Sequence, residues 1–438
     1  MLRSRLEGLL AWVRRRQALL LYLILLPLLV TAAMRFGGTR LNRIWSDARM
    51  YYVYLPATFI YQYQNLPKLE AGPYDTYPGA KGVFTRSTYG VALLQAPFFL
   101  GAHLIAHEGW FRTRDAPNGF TMIYSDALVY SAAAYGLLGI FILYGVLRKR
   151  FAPRSALLTV LAIGLGTNLY YYTLVESGMA HVYGFFLAAL LLRQTDRLYE
   201  QPDRLRFALL GLVLGLLIVI RPTNVLMALY PALYEVYTWE DVRKRFRFLL
   251  QHLPGALLGI GCVLLPWVPQ LVYWKLITGH WIVYSYSSGA TFIHWKHPKL
   301  LRVLFDVQNG LLIYSPVLWY SIGGLGAAAW SRRISAPAVG AMLVLALLAF
   351  GSWLAWWFGG AFGYRSIVDF LPFLALGMAC MLDLLARTLQ PWRTVWYLLL
   401  VFLAYYSLRL TYLYSAPWDG AAWTWDAFDE VLKRLFPW

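Results

Sequence analysis

The chain has 438 residues, of which 60% are hydrophobic and only 14% are charged. A soluble protein of this length does not carry so much apolar surface, so the composition excludes a soluble globular fold and predicts an integral membrane protein. The net charge is +18, but the basic residues form short clusters between apolar segments instead of a continuous stripe. This pattern argues against nucleic acid as a partner and favours anionic membrane lipids and a phosphorylated lipid substrate.

The first apolar segment, residues 17–34, follows a basic N-terminus that includes Arg14, Arg15 and Arg16. It is long enough to cross about 30 Å of hydrocarbon, and its basic flank marks the cytoplasmic side. A cleaved signal peptide is the alternative, because small residues follow the apolar run. In both cases the chain emerges on the outer side of the membrane at Arg35.

Residues 35–120 are predicted to form one large first outer loop. The next basic cluster, Arg148 to Arg150, has to be cytoplasmic, so the apolar segment 121–147 runs from outside to inside. The apolar run 89–107 therefore begins and ends on the outer side, which predicts an interfacial or re-entrant helix instead of a span.

The rest of the chain alternates between apolar segments and short polar connections. Their order predicts an all-α membrane protein with about 11 spans, including short ones at 156–174 and 223–239. Residues 275–310 form a second outer loop rich in Tyr, Trp and His, and residues 415–438 form a short outer tail. Residues 1–438 are thus one transmembrane domain, with the N-terminus cytoplasmic and the C-terminus outside.

Several short motifs occur in an order that resembles that of a known family. The motifs are SDARMYYVYLPA at 46–57, STYGVALLQAPFFLGAH at 87–103, GTNLYYYTLVESGMAHVYGFF at 166–186, RPTN at 221–224, QNGLLIYSP at 308–316 and WWFGGAFGYRSIVDFLPFL at 356–374. Together they resemble the multi-spanning glycosyltransferases of the C-type (GT-C) fold, especially the bacterial relatives of protein O-mannosyltransferases and aminoarabinose transferases. The resemblance extends over most of the chain.

The resemblance implies an enzyme that takes a sugar from a polyprenyl phosphate in the outer leaflet and passes it to a glycan, lipid or protein acceptor. Members of the family place an acid of the first outer loop beside the acceptor, and the matching residue here is Asp47. Many relatives have two neighbouring acids at this place, whereas Ser46 precedes Asp47 in this chain. The second acid is therefore unidentified. No cofactor is predicted, and a requirement for a divalent metal stays open.

Sugar transfer from a lipid phosphate needs a base for the incoming nucleophile and positive charge for the departing phosphate. Asp47 is the candidate base, with capping of a helix that begins near Ala48 as its alternative role. Arg365 is the first candidate for the phosphate, and its alternative is an ion pair with Asp369 four residues later. Arg221 is the second candidate, because an arginine between two short spans is costly unless it lines a site; its alternative is snorkelling to the outer headgroups.

Other polar and aromatic residues are candidates for contact with the acceptor or the sugar. Those of the second outer loop either stack on a sugar or belong to the aromatic belt of the membrane, and those near the predicted turn at 175–180 have a structural hydrogen bond as their alternative. His103 and His107 lie four residues apart without an evident third ligand, so no metal site is predicted. The candidate contacts are Tyr51, Glu176, His181, Tyr284, Tyr286 and His294.

These features predict a polyprenyl-phosphate-sugar-dependent glycosyltransferase on the periplasmic face of a bacterial inner membrane. The absence of an Asn-x-Ser/Thr sequon favours the bacterial setting. A transporter or flippase of lipid-linked sugars is the first alternative, and it predicts paired inverted halves. An O-antigen-ligase-like transferase is the second, and it would rely on Arg and His of a late outer loop instead of Asp47.

Overall fold

The computed structural model describes residues 42–64, 77–110, 115–284, 293–414, 418–420 and 422–435. The predicted first span, residues 17–34, and the candidate Tyr286 lie outside these residues. The described chain is helical and holds an isolated β-bridge between Ile293 and Trp353 but no strand, so the predicted all-α architecture is confirmed. The main helices are α1 (Ser46–Tyr52), α2 (Gly90–Glu108), α3 (Met122–Arg148), α4 (Pro153–Leu165), α5 (Leu169–Leu174), α6 (His181–Glu200), α7 (Arg204–Ile220), α8 (Trp239–Gln251), α9 (Leu253–Leu264), α10 (Val268–Thr278), α11 (Leu318–Trp330), α12 (Ala336–Gly351), α13 (Leu371–Leu385), α14 (Gln390–Leu413) and α15 (Trp425–Leu432).

Shorter helical segments connect or extend these helices. They are Tyr54–Pro56, the π-helical turn Ala57–Tyr61, the 3₁₀ segments Pro222–Ala228, Leu265–Trp267 and Arg365–Phe370, and the α-helical turns Leu229–Ala232, Leu300–Phe305 and Leu311–Tyr314.

Five segments of the described chain are long and apolar enough to cross a membrane. Two further apolar helices, Pro153–Leu165 and Ala336–Gly351, are shorter. The five segments are Gly90–Glu108, Met122–Arg148, Leu253–Thr278, Arg365–Leu385 and Gln390–Leu413.

The chain between α3 and α14 passes back and forth between two ends of the helix bundle. One end, called the site pole, is formed by the turn 175–180, Ile220 and Arg365. The other end, called the opposite pole, is marked by Arg150, whose guanidinium pairs with Asp196 of α6. Helices such as α6 and α7 therefore have one end at the candidate site and the other at the opposite pole.

The pass that returns from Arg221 is not a regular α-helix, in contrast to the predicted span 223–239. It consists of the 3₁₀ segment Pro222–Ala228 followed by the single turn Leu229–Ala232. A 3₁₀ helix rises about 2.0 Å per residue against about 1.5 Å for an α-helix, so a short stretch covers a longer distance. This is how the chain reaches Tyr234, which donates to Asp196 at the opposite pole over 3.2 Å.

The predicted span 156–174 is likewise divided into α4 and α5. The break includes Gly166, where an added Cβ would lie 2.9 Å from the Cα of Ala404 in α14. Glycine therefore permits the close approach of α14 at this point. The short α5 that follows is entirely buried and carries Tyr171 and Tyr172 under the candidate site.

Helix α2 was predicted to be interfacial, although its length and composition also suit a crossing. Near its start, the hydroxyl of Thr88 donates to the carbonyl of Val219 at the end of α7. Near its end, His103 Nδ1 lies 2.7 Å from the hydroxyl of Tyr124 at the start of α3. Both ends thus contact the site pole, which favours a helix that lies across the bundle, and its depth in the membrane stays a prediction.

Candidate active site

Asp47 lies in the first turn of α1, where its side chain faces another part of the chain. Its Oδ2 accepts a hydrogen bond from Arg365 Nη2 at 2.8 Å, across 318 residues of sequence. The residue before α1 is Trp45, and no side-chain oxygen caps the helix. Capping as the only role of Asp47 is therefore wrong, because the carboxylate is held by a guanidinium.

Arg365 reaches Asp47 because the chain bends sharply just before it. Gly359 and Gly363 adopt φ values of +72° and +64°, a left-handed conformation that favours glycine. An added Cβ at Gly363 would lie 3.0 Å from the Cβ of Tyr314, so this turn also packs too tightly for a larger residue. The loop then enters the 3₁₀ segment Arg365–Phe370 with the arginine at its first position.

Asp369 does not pair with Arg365, contrary to the predicted alternative for that arginine. It is fully buried, and His181 Nδ1 lies 3.1 Å from its Oδ1. Asn224 Nδ2 donates to its Oδ2 at 3.0 Å, and Arg221 Nη1 lies 3.5 Å from the same oxygen. These partners compensate the buried negative charge of Asp369, and the Asp369 carboxylate in turn holds Arg221 in place.

Arg221 is therefore anchored within the protein, and the alternative of snorkelling to headgroups is wrong. Its guanidinium also lies 3.3 Å from Ser366 Oγ and 3.4 Å from His181 Nδ1. Gly184 of α6 makes room for this cluster, because an added Cβ there would lie 2.6 Å from the carboxylate carbon of Asp369.

Two cavities meet at the Asp47–Arg365 pair. The larger has a volume of about 480 Å³ and the smaller about 220 Å³. Both are lined by Asp47 and Arg365 together with Met179, Trp353 and Phe358. The ion pair therefore lies at the junction of the two cavities, where molecules bound in them would meet.

The smaller cavity is strongly cationic. Arg86, Arg221 and Arg365 line it, and Tyr51 and His181 contribute further polar groups. A guanidinium keeps its charge when buried and binds phosphate through two parallel hydrogen bonds. This cavity therefore suits a phosphate group.

The larger cavity combines acids with aromatic rings. Glu176 and Asp419 line it in addition to Asp47, and Trp45 lies on the same wall. The Glu176 side chain is 8% exposed, and one of its oxygens accepts from the Tyr171 hydroxyl at 3.3 Å. Burial raises the pKa of Glu176 to about 7, against the lowering effect of Arg365 and the Tyr171 hydrogen bond, and Asp47 raises it further.

Tyr284 and His294 of the second outer loop do not line either cavity. Tyr284 is 67% exposed, and His294 makes a backbone hydrogen bond to the carbonyl of Ser352 at 2.6 Å. Through the adjacent bridge from Ile293 to Trp353, this loop instead supports the wall that both cavities share. The roles predicted for these two residues thus find no support in their positions.

Sequence reasoning missed several residues that line the site. Arg86 lies in the predicted first outer loop, and its position directly before the motif at 87–103 was the signal that could have selected it. Trp353 looked like an ordinary span residue, Phe358 was one apolar residue of the motif at 356–374, and Asp419 lies in the tail. Nothing in the local sequence distinguishes these last residues from residues of the aromatic belt or a solvated end.

The predicted absence of a metal site stays a prediction. In the residues that the structure describes, no group of three His, Cys, Asp or Glu side chains could hold a metal ion. His103 instead packs against Phe99, and His107 lies 3.0 Å from Glu108.

Comparison with solved structures identifies the architecture. The crystal structure of ArnT from Cupriavidus metallidurans bound to undecaprenyl phosphate aligns with a TM-score of 0.51 over 88% of this chain, at 16% sequence identity. The chain has a GT-C-like fold. The GT-C fold expected from the sequence is thus confirmed, although the chain spans only 64% of the length of that ArnT chain.

Other comparisons add little. The apo structure of the same ArnT aligns with a TM-score of 0.43, at 16% identity, over 82% of this chain and 63% of that one. No family model matches the sequence, and no curated protein matches it.

Proposed function

We propose that the protein is a glycosyltransferase that moves a sugar from a polyprenyl-phosphate donor to an acceptor at the outer, periplasmic face of a bacterial inner membrane. The observation that carries the proposal is the Asp47–Arg365 pair, because it places a carboxylate and a guanidinium side by side where two cavities join. A base and a phosphate-binding cation are the two groups that sugar transfer from a lipid phosphate needs. The undecaprenyl phosphate in the similarly folded ArnT supports a polyprenyl lipid as partner.

In this proposal the donor phosphate binds in the smaller cavity. Arg86, Arg221 and Arg365 surround it, so the negative charge that develops on the leaving phosphate is stabilised as the glycosidic bond breaks. Asp369 keeps the Arg221 guanidinium oriented from behind. The polyprenyl chain itself then extends toward lipid.

The acceptor binds in the larger cavity, with its hydroxyl beside Asp47. The acceptor oxygen forms a bond to the anomeric carbon, its proton passes to the Asp47 carboxylate, and the bond from that carbon to the phosphate oxygen breaks with its electron pair leaving on the phosphate. Attack from the side opposite the phosphate inverts the configuration, through a transition state with oxocarbenium character. Glu176, Tyr51 and His181 are contacts for the acceptor or the sugar.

The test is transfer by an Asp47→Asn variant in membranes supplied with a labelled polyprenyl-phosphate sugar. We expect transfer to be lost while the protein still folds, because the amide cannot accept the proton. Asp426→Asn is the matched control, since Asp426 is on α15 and lines neither cavity. Unchanged transfer by Asp47→Asn would reject the mechanism, and movement of the labelled lipid across the bilayer without transfer would favour a flippase.

A further inference from the structure

Helix α8 has no part in the proposed sugar transfer, yet its sequence and setting are unusual. It begins with a complete capping box, in which Thr238 and Asp241 satisfy each other's backbone N–H groups. None of its residues is buried. Its helical state is therefore defined locally, and most of its residues are open to something outside the described chain.

Both ends of α8 contact the opposite pole of the bundle. Just before its start, the Tyr237 hydroxyl accepts a hydrogen bond from the backbone N–H of Ser335 at 3.0 Å. Near its end, Phe248 packs against Phe207, at the start of α7, with ring centroids 6.2 Å apart. A helix held at both ends by the same pole runs across the bundle end, which corresponds to the plane of the membrane surface.

One face of α8 is attached to the protein. The Arg245 guanidinium lies 3.8 Å from the centre of the Tyr199 ring at the end of α6, and Phe248 packs on the same ring with centroids 5.1 Å apart. These contacts fix the rotation of the helix about its axis. With about 3.6 residues per turn, the next face of the helix begins at Leu249 and lies beside the attached face, not opposite to it.

This side face is apolar. Large apolar side chains recur on it every three or four residues, which is the period of one face of an α-helix. Trp239 is 81% exposed, Phe246 63% and Leu250 53%. The complete stripe consists of Trp239, Val242, Phe246, Leu249 and Leu250.

The charges of α8 complement an anionic surface. Arg243 and Arg247 are exposed and lie one turn apart along one edge of the stripe, while Lys244 pairs with Glu240 at 3.0 Å on the far side. The stripe also continues into the exposed apolar surface of α9 through Leu253, which is 47% exposed. An apolar stripe bordered by arginines and continuous with a lipid-facing span is the pattern of a helix at the boundary between headgroups and acyl chains.

We propose that α8 is an interfacial helix that binds anionic phospholipid headgroups of the leaflet facing the opposite pole. Its apolar stripe enters the acyl boundary, and Arg243 and Arg247 contact headgroup phosphates. The partner is thus a lipid surface and not a soluble protein or a second copy of this chain. The proposal is independent of the sugar-transfer activity, since α8 does not touch either cavity.

The first experiment measures depth. In a background with Cys262→Ala and Cys380→Ala, spin labels are placed by Phe246→Cys on the stripe and by Lys244→Cys on the polar side, and the protein is reconstituted in nanodiscs containing phosphatidylglycerol. We expect the label at 246 to collide mainly with oxygen dissolved in the bilayer and the label at 244 mainly with a water-soluble nickel complex. Equal exposure of both labels to the nickel complex would overturn the proposal, as would spin–spin coupling between labels at 246, which would show a second copy on the stripe.

The second experiment measures headgroup selectivity. Phosphatidylglycerol is titrated into mixed micelles while an environment-sensitive fluorophore at Phe246→Cys reports binding. The double variant Arg243→Gln/Arg247→Gln is expected to lower the apparent affinity roughly tenfold or more. The control is Arg193→Gln/Arg197→Gln, which removes equal charge with the same spacing from exposed positions of α6 at the same pole. Equal loss in the two double variants would overturn the proposal.

Discussion

At the scale of single residues, the site depends on the ion pair between Asp47 and Arg365, which are 318 residues apart in the sequence. The side chains of Arg365 and Asp47 are 18% and 37% exposed, so both are reachable from the cavities yet partly removed from water. An ion pair of this kind keeps the guanidinium oriented. When a phosphate enters the smaller cavity, it can share the same arginine.

We therefore expect Arg365→Gln to lower the turnover rate of sugar transfer by roughly 10²–10³, because the charge beside the leaving phosphate is lost. Arg365→Lys should recover only part of the rate, since an ammonium cannot form the two parallel hydrogen bonds of a guanidinium. The measurement is transfer of labelled sugar by purified protein. Arg49→Gln is the control, because Arg49 belongs to the same helix as Asp47 but lines neither cavity; similar rates in all variants would remove Arg365 from the mechanism.

Glu176 predicts a pH dependence of stability. Its pKa is raised from 4.5 to about 7 in the folded protein, chiefly by burial. The folded state therefore binds this proton more tightly than the unfolded state, and the free energy of unfolding falls as pH rises from about 4.5 to about 7. The difference amounts to about 3 kcal/mol when the group has ionised fully.

Thermal unfolding in detergent at several pH values measures this effect. Glu176→Gln cannot ionise, so it should lose stability less steeply than the natural sequence over that pH window. Glu430→Gln should keep the natural slope, because the Glu430 side chain is 72% exposed. Parallel curves for the natural sequence and Glu176→Gln would show that Glu176 does not take up the proton.

At the scale of helices, close packing depends on glycines placed where backbones touch. An added Cβ at Gly324 of α11 would lie 1.8 Å from the carbonyl oxygen of Gly377 in α13. An added Cβ at Gly211 of α7 would lie 2.1 Å from the carbonyl oxygen of Gly259 in α9. Small residues at such crossings allow dispersion contacts along the full helix length, which is a main source of helix association in membranes.

Gly324→Ala is accordingly expected to destabilise the protein by about 1–3 kcal/mol or more, because a backbone oxygen cannot move aside without separating the helices. Gly326→Ala is a matched control in the same helix, where an added Cβ meets nothing within 4 Å. Midpoints of thermal unfolding in detergent compare the two variants. If both variants unfold at the same temperature, the helices are not in the tight contact described above.

At the scale of the whole molecule, the proposed function requires the site pole to face outside. The predicted cytoplasmic N-terminus would place Trp281, near the end of α10, outside and Leu389, before α14, inside. Both side chains are exposed. In a background without Cys262 and Cys380, a membrane-impermeant maleimide should label Trp281→Cys in intact cells. Leu389→Cys should react only after the cells are permeabilised. The reverse pattern would place Asp47 on the cytoplasmic side and would end the proposal of a periplasmic transferase.

Much of this architecture could be predicted from the sequence because hydropathy and charge are local properties. A long apolar segment must satisfy its backbone hydrogen bonds as a helix, and basic clusters indicate which connections belong together. Residues with a clear chemical cost in a membrane also stand out by themselves. Arg221 was selected in this way, whereas the resemblance to a known family selected Asp47, and the structure brings both residues and Arg365 to the walls of adjoining cavities.

Only the tertiary structure decided which of these groups meet. Asp369 is four residues from Arg365 and was its nearest candidate partner in sequence, yet it pairs with Arg221 and His181, whereas Arg365 pairs with Asp47. Arg86 became part of the site for the same reason. Thr88, two residues after it and just before α2, donates a hydrogen bond to Val219 at the end of α7. Such pairings depend on how closely helices cross, and that distance is set by contacts between residues far apart in the chain, which no local pattern records.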